Sequence, residues 1–154
     1  MTTGPFQGFF ELESPADLVR KLRHDLERIE KSPQDQYAAF DFFVTAEHIV
    51  DWLHPDDKSA RESIRSSNAL LRVTSHLANG GKHFHAKAKR HRSILGTEKQ
   101  KYVEPGYIED GYFEEPLVIH LSEPEAQELG SPHVDAISLA RRVLDYWSQR
   151  ISAN

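Results

Sequence analysis

The sequence predicts a mainly α protein, a four-helix bundle with a small β-hairpin or irregular insertion between its third and fourth helices. Three observations predict this. Apolar residues recur at three- and four-residue spacing in four separate stretches. Each stretch opens on a helix-start signal: Ser14-Pro15, Ser32-Pro33, Pro55-Asp56-Asp57 and Ser131-Pro132. Residues 84–128 lose the helical period and hold the β-rich run Leu117-Val118-Ile119.

The elements follow in order. Phe6, Phe9 and Phe10 among glycines suggest an extended arm packed on the body. Ser14 as N-cap and Pro15 at the first position start a helix over 15–31, with Leu18, Val19, Leu22, Leu26 and Ile29 on one stripe. The second helix spans 33–54. The third, capped by Asp56 or Asp57, spans 57–83 if it continues through Gly80 and Gly81. In the insertion, Leu117 to Ile119 pair with part of the preceding basic segment across a turn near Gly106 or Gly111, so that a basic strand and an acidic one neutralise each other. The fourth helix spans 131–151, with Val134, Ile137, Ala140, Leu144, Trp147 and Ile151 on one stripe. No linker or repeat divides the chain, so 1–154 reads as one domain.

Composition sets limits on function. The chain of 154 residues has no cysteine, which excludes disulfide scaffolds, thiolate zinc sites and cysteine nucleophiles. No stretch approaches the roughly 20 apolar residues of a membrane span, and no signal-peptide pattern opens the chain. A cytoplasmic location with no membrane partner is the expectation. No phosphate loop, HExxH helix or GxSxG elbow is present, and no cofactor is implied.

Charge is segregated. Residues 63–97 contain no Asp or Glu but seven Lys/Arg and four of the nine histidines, in a chain of net charge −5. Residues 102–128 contain eight acids and no Lys or Arg. A concentrated basic zone calls for an anion or an acidic partner.

Two helix faces carry candidate chemistry. The second helix is apolar on one side through Ala39, Phe42, Phe43, Ala46, Ile49, Val50 and Leu53. Its other side carries Tyr37, Phe40 and Val44 and ends in His48 and Asp51. A helix apolar on two sides is central or packs a second partner, which suggests a homodimer. His48 and Asp51, three residues apart, are within reach of each other, so that the carboxylate orients the imidazole. The third helix lines up Arg61, Arg65, Asn68, Arg72, His76, Asn79 and His83 opposite its apolar face. Arginine forks suit phosphate and histidines suit proton transfer. The alternative for the second helix is a hydrogen-bonded pair at the end of a core stripe, and for the third a solvated face or one paired with acids on another helix. Two adjacent glycines cost a helix about 1 kcal/mol each, so Gly80 and Gly81 need a reason: a helix cap, or close approach of a neighbour or ligand. His83 and His85 have strand-pair spacing for a metal, which would need Glu47 or Asp51 as a further ligand.

The runs FFVTAEHIVDWL (42–53) and LLRVTSHLANGGKHF (70–84) resemble a group of uncharacterised bacterial and phage-associated proteins. That group carries a His-x-x-Asp-Trp run before an Ala-Asn-Gly-x-Lys-His-Phe run, here His48, Asp51, Trp52 and Ala78, Asn79, Gly80, Lys82, His83, Phe84. More distantly, an Arg and a polar residue ahead of a His on the third helix of a bundle resembles the HEPN superfamily, many of whose members are dimeric ribonucleases in defence systems. In its motif four to six residues separate Arg from His; this sequence departs from that spacing, with three residues between Arg72 and His76 and ten between Arg72 and His83.

The resulting expectation is a HEPN-like helical domain that binds or cleaves RNA, or binds a phosphorylated ligand. Arg72, His76, Asn79, Lys82 and the basic run at 87–92 would contact the ligand, and His83, with His48 and Asp51, would move protons. The rival is a non-enzymatic interaction module whose basic zone docks an acidic partner or the chain's own acidic segment. A His/carboxylate metal site is a third reading.

Overall fold

The structure, a computed structural model, describes residues 6–83, 91–99 and 117–151. These form a mainly helical fold with one three-stranded antiparallel sheet. In chain order the elements are α1 (Pro15–Lys31), α2 (Gln36–Leu53), α3 (Lys58–Ser66), α4 (Ala69–His83), β1 (Ile94–Lys99), β2 (Leu117–Leu121), α5 (Glu123–Leu129), β3 (His133–Asp135) and α6 (Ala136–Arg150).

The first helix starts where its residues dictate. The Ser14 hydroxyl accepts from the Asp17 backbone N–H while the Asp17 carboxylate accepts from the Ser14 N–H, a reciprocal capping box, with Pro15 opening the first turn. Leu18, Val19, Leu22, Leu26 and Ile29 are all buried. The second helix starts later than residue 33. Asp35 is its cap, accepting from the N–H groups of Tyr37 and Ala38, whereas the Ser32 N–H closes α1 on the Arg28 carbonyl. Arg28 joins the two helices, donating to the buried Asp25 of α1 at 3.0 Å and to Asp41 of α2 at 2.8 Å.

The helix expected over 57–83 is two helices. Ser66, Ser67 and Asn68 divide it: the hydroxyls of Ser66 and Ser67 bond the carbonyls of Glu62, Ser63 and Ile64. Asn68 then starts α4 by accepting from the Leu71 N–H at 3.1 Å. Short polar side chains compete with the backbone ladder in this way, and three in succession end a helix. Beyond the break, α4 runs unbroken through Gly80 and Gly81 to His83.

The strands pair in the order β1-β2-β3, with Lys99 opposite Leu117, Thr97 opposite Ile119 and Ile119 opposite Val134. The partner of Leu117 to Ile119 is thus the end of the basic segment, as expected, but β1 itself reads ILGTEK and is not a basic strand. The turn proposed near Gly106 or Gly111 lies outside the described residues. The insertion also contains α5, which ends at Gly130 in a left-handed conformation (φ 89°). The last helix begins at Ala136 rather than at 131. Residues 133–135 are taken by β3, and Asp135 caps the helix by accepting from the Ser138 N–H at 2.9 Å.

The core joins α1, α2 and α6 around Leu22, Ile29, Phe42, Ile49 and Leu139, with Leu71 and Val73 of α4 and Ile119 and Leu121 of β2. On α2 the expected inner face is the observed one, since Ala39, Phe42, Phe43, Ala46, Ile49 and Val50 are buried. Its second apolar side is left in partial contact with water, with Phe40 50% and Tyr37 75% exposed. Among the described residues, no helix is long and apolar enough to cross a membrane.

Candidate functional site

The outer side of α2 continues Phe40 and Val44 with Glu47, His48 and Asp51, at the three- and four-residue steps that keep side chains on one helix face. Helix α4 runs antiparallel beside it. Gly81 lies against Phe40 at one end of the contact, and Ser75 donates to Glu47 at 3.3 Å further along. Between the two helices is a cleft of about 400 Å³. Phe40, Val44, Glu47, His48 and Asp51 line it from α2, Ala78, Asn79 and Lys82 from α4, and Arg65 from α3.

Arg65 organises the electrostatics. It donates through Nη2 to Asp51 Oδ1 at 2.8 Å and forms an ion pair through Nε with Glu47. Both Arg65 and Glu47 keep only 12% of their side chains exposed. Arg61 stands 3.6 Å from Asp51 and donates to the carbonyls of His54 and Pro55, closing the end of α2. Burial pushes the Glu47 carboxyl above its usual range, with Arg65 opposing. Burial also works against ionised Asp51, but His48 and Arg65 outweigh it and hold that carboxyl at about 2. Asp51 is therefore an anion at any ordinary pH.

His48 Nδ1 is 3.7 Å from Asp51 Oδ2, beyond hydrogen-bond length but within electrostatic range, and half of the imidazole faces water. Asn79 is oriented by its own helix, its Nδ2 donating to the Ser75 carbonyl at 2.8 Å. Lys82 is exposed and has no ion-pair partner among the described residues. An accessible imidazole beside a fixed carboxylate, an oriented amide and an uncompensated cation thus line one cleft. That set suits holding an anionic group and moving a proton next to it.

Four of the sequence candidates, His48, Asp51, Asn79 and Lys82, come together here. Arg72 and His76 do not join them. Arg72 sits two turns before Asn79, about 10 Å along the helix. Its fork is filled, with Nε donating to Glu125 at 2.8 Å, Nη2 paired with Glu128 and Nη1 donating to the Ser66 carbonyl at 3.0 Å. Burial opposes the Glu125 charge, yet Ser122 and Arg72 keep its carboxyl below the usual range. His76 Nδ1 accepts the Ile94 N–H at 3.2 Å, tying α4 to β1, and burial pushes its imidazole down. That bond requires an unprotonated Nδ1. The side chain of His83, and residues 87–90 of the basic run, lie outside the described portion.

Glu47 and Arg65 were not among the predicted site residues. Arg65 was visible as one more cation on a long polar face, but the break at Ser66 to Asn68 gives α3 a direction of its own and turns Arg65 toward α2. The signal for Glu47 was its i,i+4 spacing to Asp51 on α2. Gly81 is explained by close approach: a Cβ there would meet Phe40 Cε2 at 2.8 Å, whereas one on Gly80 would meet nothing within 4 Å. Among the described residues no group of three or more metal-binding side chains is assembled. Comparison with protein-family models, with curated proteins and with solved structures finds no match.

Proposed function

We propose that the α2–α4 cleft of a HEPN-like helical domain binds a phosphorylated ligand, RNA being its polymeric form, with His48 as the acid/base group. The observation that carries this reading is the convergence of His48, Asp51, Asn79 and Lys82, from two helices, on one cleft. Lys82 supplies the charge for a phosphate and Asn79 an oriented polar contact. His48 exchanges a proton with the ligand, and ionised Asp51 steadies the imidazolium that results. Arg72 and His76 leave the proposed ligand set, because the Arg72 fork is filled by Glu125, Glu128 and the Ser66 carbonyl and His76 is held through Nδ1 to β1, away from the cleft. A second copy covering Tyr37 belongs to the same reading, and sedimentation measures it.

The test is fluorescence anisotropy of a labelled single-stranded RNA oligonucleotide at low salt, with gel analysis for cleavage. Lys82→Ala weakens binding and makes the slope of log affinity against log salt shallower by about 0.7, the value for one lost contact to a single strand. His48→Ala removes any cleavage while leaving most of the binding. Both residues are exposed or half-exposed, so the variants keep the fold. Unchanged binding and cleavage in both variants overturn the reading.

One observation favours a second reading. The Arg72 guanidinium is satisfied by Glu125 and Glu128 of the acidic segment, which is what an interaction module folding its acidic part over its basic part would show. That reading predicts no RNA binding even at low salt, where electrostatic association is strongest.

A further inference from the structure

The polar cleft does not end at Phe40. A second cleft, of about 380 Å³, lies between the first half of α2, Leu77 of α4 and the β1–β2 face, and Phe40 and Val44 line both. Ala39, Phe43, Leu77, Leu117, Ile119 and Ala136 form its apolar walls, and the exposed Gln36, Thr97, Glu98 and Lys99 line it too. The α2 side chains along the two clefts thus change character midway, from Ala39, Phe40, Phe43 and Val44 to Glu47, His48 and Asp51. Gly81 sets the seam, since only a residue without a side chain leaves the Phe40 ring its place.

Two features define what fits. The first is charge. Arg65 is engaged by Glu47 and Asp51, so Lys82 is the cation of the cleft without an ion-pair partner among the described residues. One cation complements a head of low charge better than a polyanion. The second is the wall chemistry. The polar lining residues Gln36, Thr97, Glu98 and Lys99 are all exposed. The buried and half-buried Ala, Leu, Ile and Phe side chains offer a nucleobase edge no hydrogen-bond partners, and burying that edge unpaired is costly. They suit an aliphatic chain. Pockets of a few hundred cubic ångströms, mostly apolar with a few convergent polar groups, are the usual form of small-molecule sites.

We infer that the two clefts form one bipartite site for a free single-chain amphiphile, its phosphate-type head on Lys82 and Asn79 and its aliphatic body across Phe40 and Val44 into the apolar cleft. This deepens the phosphate reading above and rests on it. The apolar walls lie within a cleft rather than on an outer face, which selects a free amphiphile over a bilayer.

Calorimetric titration of the full chain at low salt tests it, with methyl, butyl and octyl phosphate below their micelle concentrations and adenosine monophosphate. Affinity rises from methyl to octyl phosphate, approaching about fourfold per methylene while the chain is entering the cleft. Thr97→Trp, at an exposed position lining the apolar cleft, abolishes that rise and leaves methyl phosphate binding intact; Gln36→Trp, at the start of α2, is the second block. Lys82→Ala weakens every chain length by the same factor. Equal affinity for methyl and octyl phosphate, with methyl phosphate still dependent on Lys82, overturns the amphiphile while sparing the phosphate site. Tighter binding of adenosine monophosphate than of octyl phosphate overturns it too. A rise blocked by both tryptophans but indifferent to Lys82→Ala contradicts the headgroup assignment and the phosphate reading together.

Discussion

Arg65 shows how one side chain, held from two directions, fixes the character of a site. It compensates Glu47, whose side chain is 12% exposed, and Asp51, which is 45% exposed, and the two carboxyls respond in opposite senses. Burial dominates at Glu47 and raises it; its contribution to stability is complete at low pH and fades as pH rises through a folded value above 4.5. Asp51 is lowered from 3.8 to about 2, so its contribution is complete above about pH 4 and is lost as pH falls toward 2. Asp51→Asn should therefore flatten the acid limb of the stability curve. The wild type loses about 1 kcal/mol more than the variant between pH 4 and pH 2, once solvent screening at a half-exposed carboxylate is allowed for. Urea denaturation at a series of pH values measures this, and parallel curves for the two proteins contradict it.

The glycine pair of α4 separates two roles that look alike along the chain. Both residues are helical, so replacing either by alanine adds helix propensity of about 1 kcal/mol. At Gly80 nothing opposes the gain, and Gly80→Ala should stabilise the protein by about that amount. At Gly81 the new methyl meets the Phe40 ring, and overpacking costs about 1–3 kcal/mol, so Gly81→Ala should be destabilising or neutral. Thermal unfolding of the two variants distinguishes them, and equal stabilisation would remove the close approach as the reason for Gly81. Helix starts show what local reading can and cannot see. Ser14-Pro15 marked α1 because Asp17 completes the capping box three residues on. Ser32-Pro33 and Ser131-Pro132 marked α2 and α6 too early. An aspartate further on, Asp35 or Asp135, caps each helix instead, and for α6 the residues between are drawn into a strand. The break at Ser66 to Asn68 was written in three adjacent short polar residues, yet the helical period on either side concealed it.

Across the molecule, the acid-free stretch resolves into parts with separate fates. Arg72 is neutralised within the chain by α5, and His76 is a strut between α4 and β1. Arg65, Asn79 and Lys82 turn to the cleft that α2 lines with His48 and Asp51. The pairing of His48 with Asp51 was legible because it is local to one helix. So was the inner face of α2. The separation of Arg72 from Asn79 was not, because both fall on one side of a helical wheel and only the packing of α5 tells them apart. The central claim is that the α2–α4 cleft, not the Arg72 side of α4, receives the ligand. Nuclear magnetic resonance of the histidine imidazoles and the arginine and lysine side chains, during titration with methyl phosphate, tests it most directly. Shifts at His48 and Lys82, with His76 and Arg72 unmoved, are the predicted result; shifts centred on His76 and Arg72, or none at His48, would contradict it.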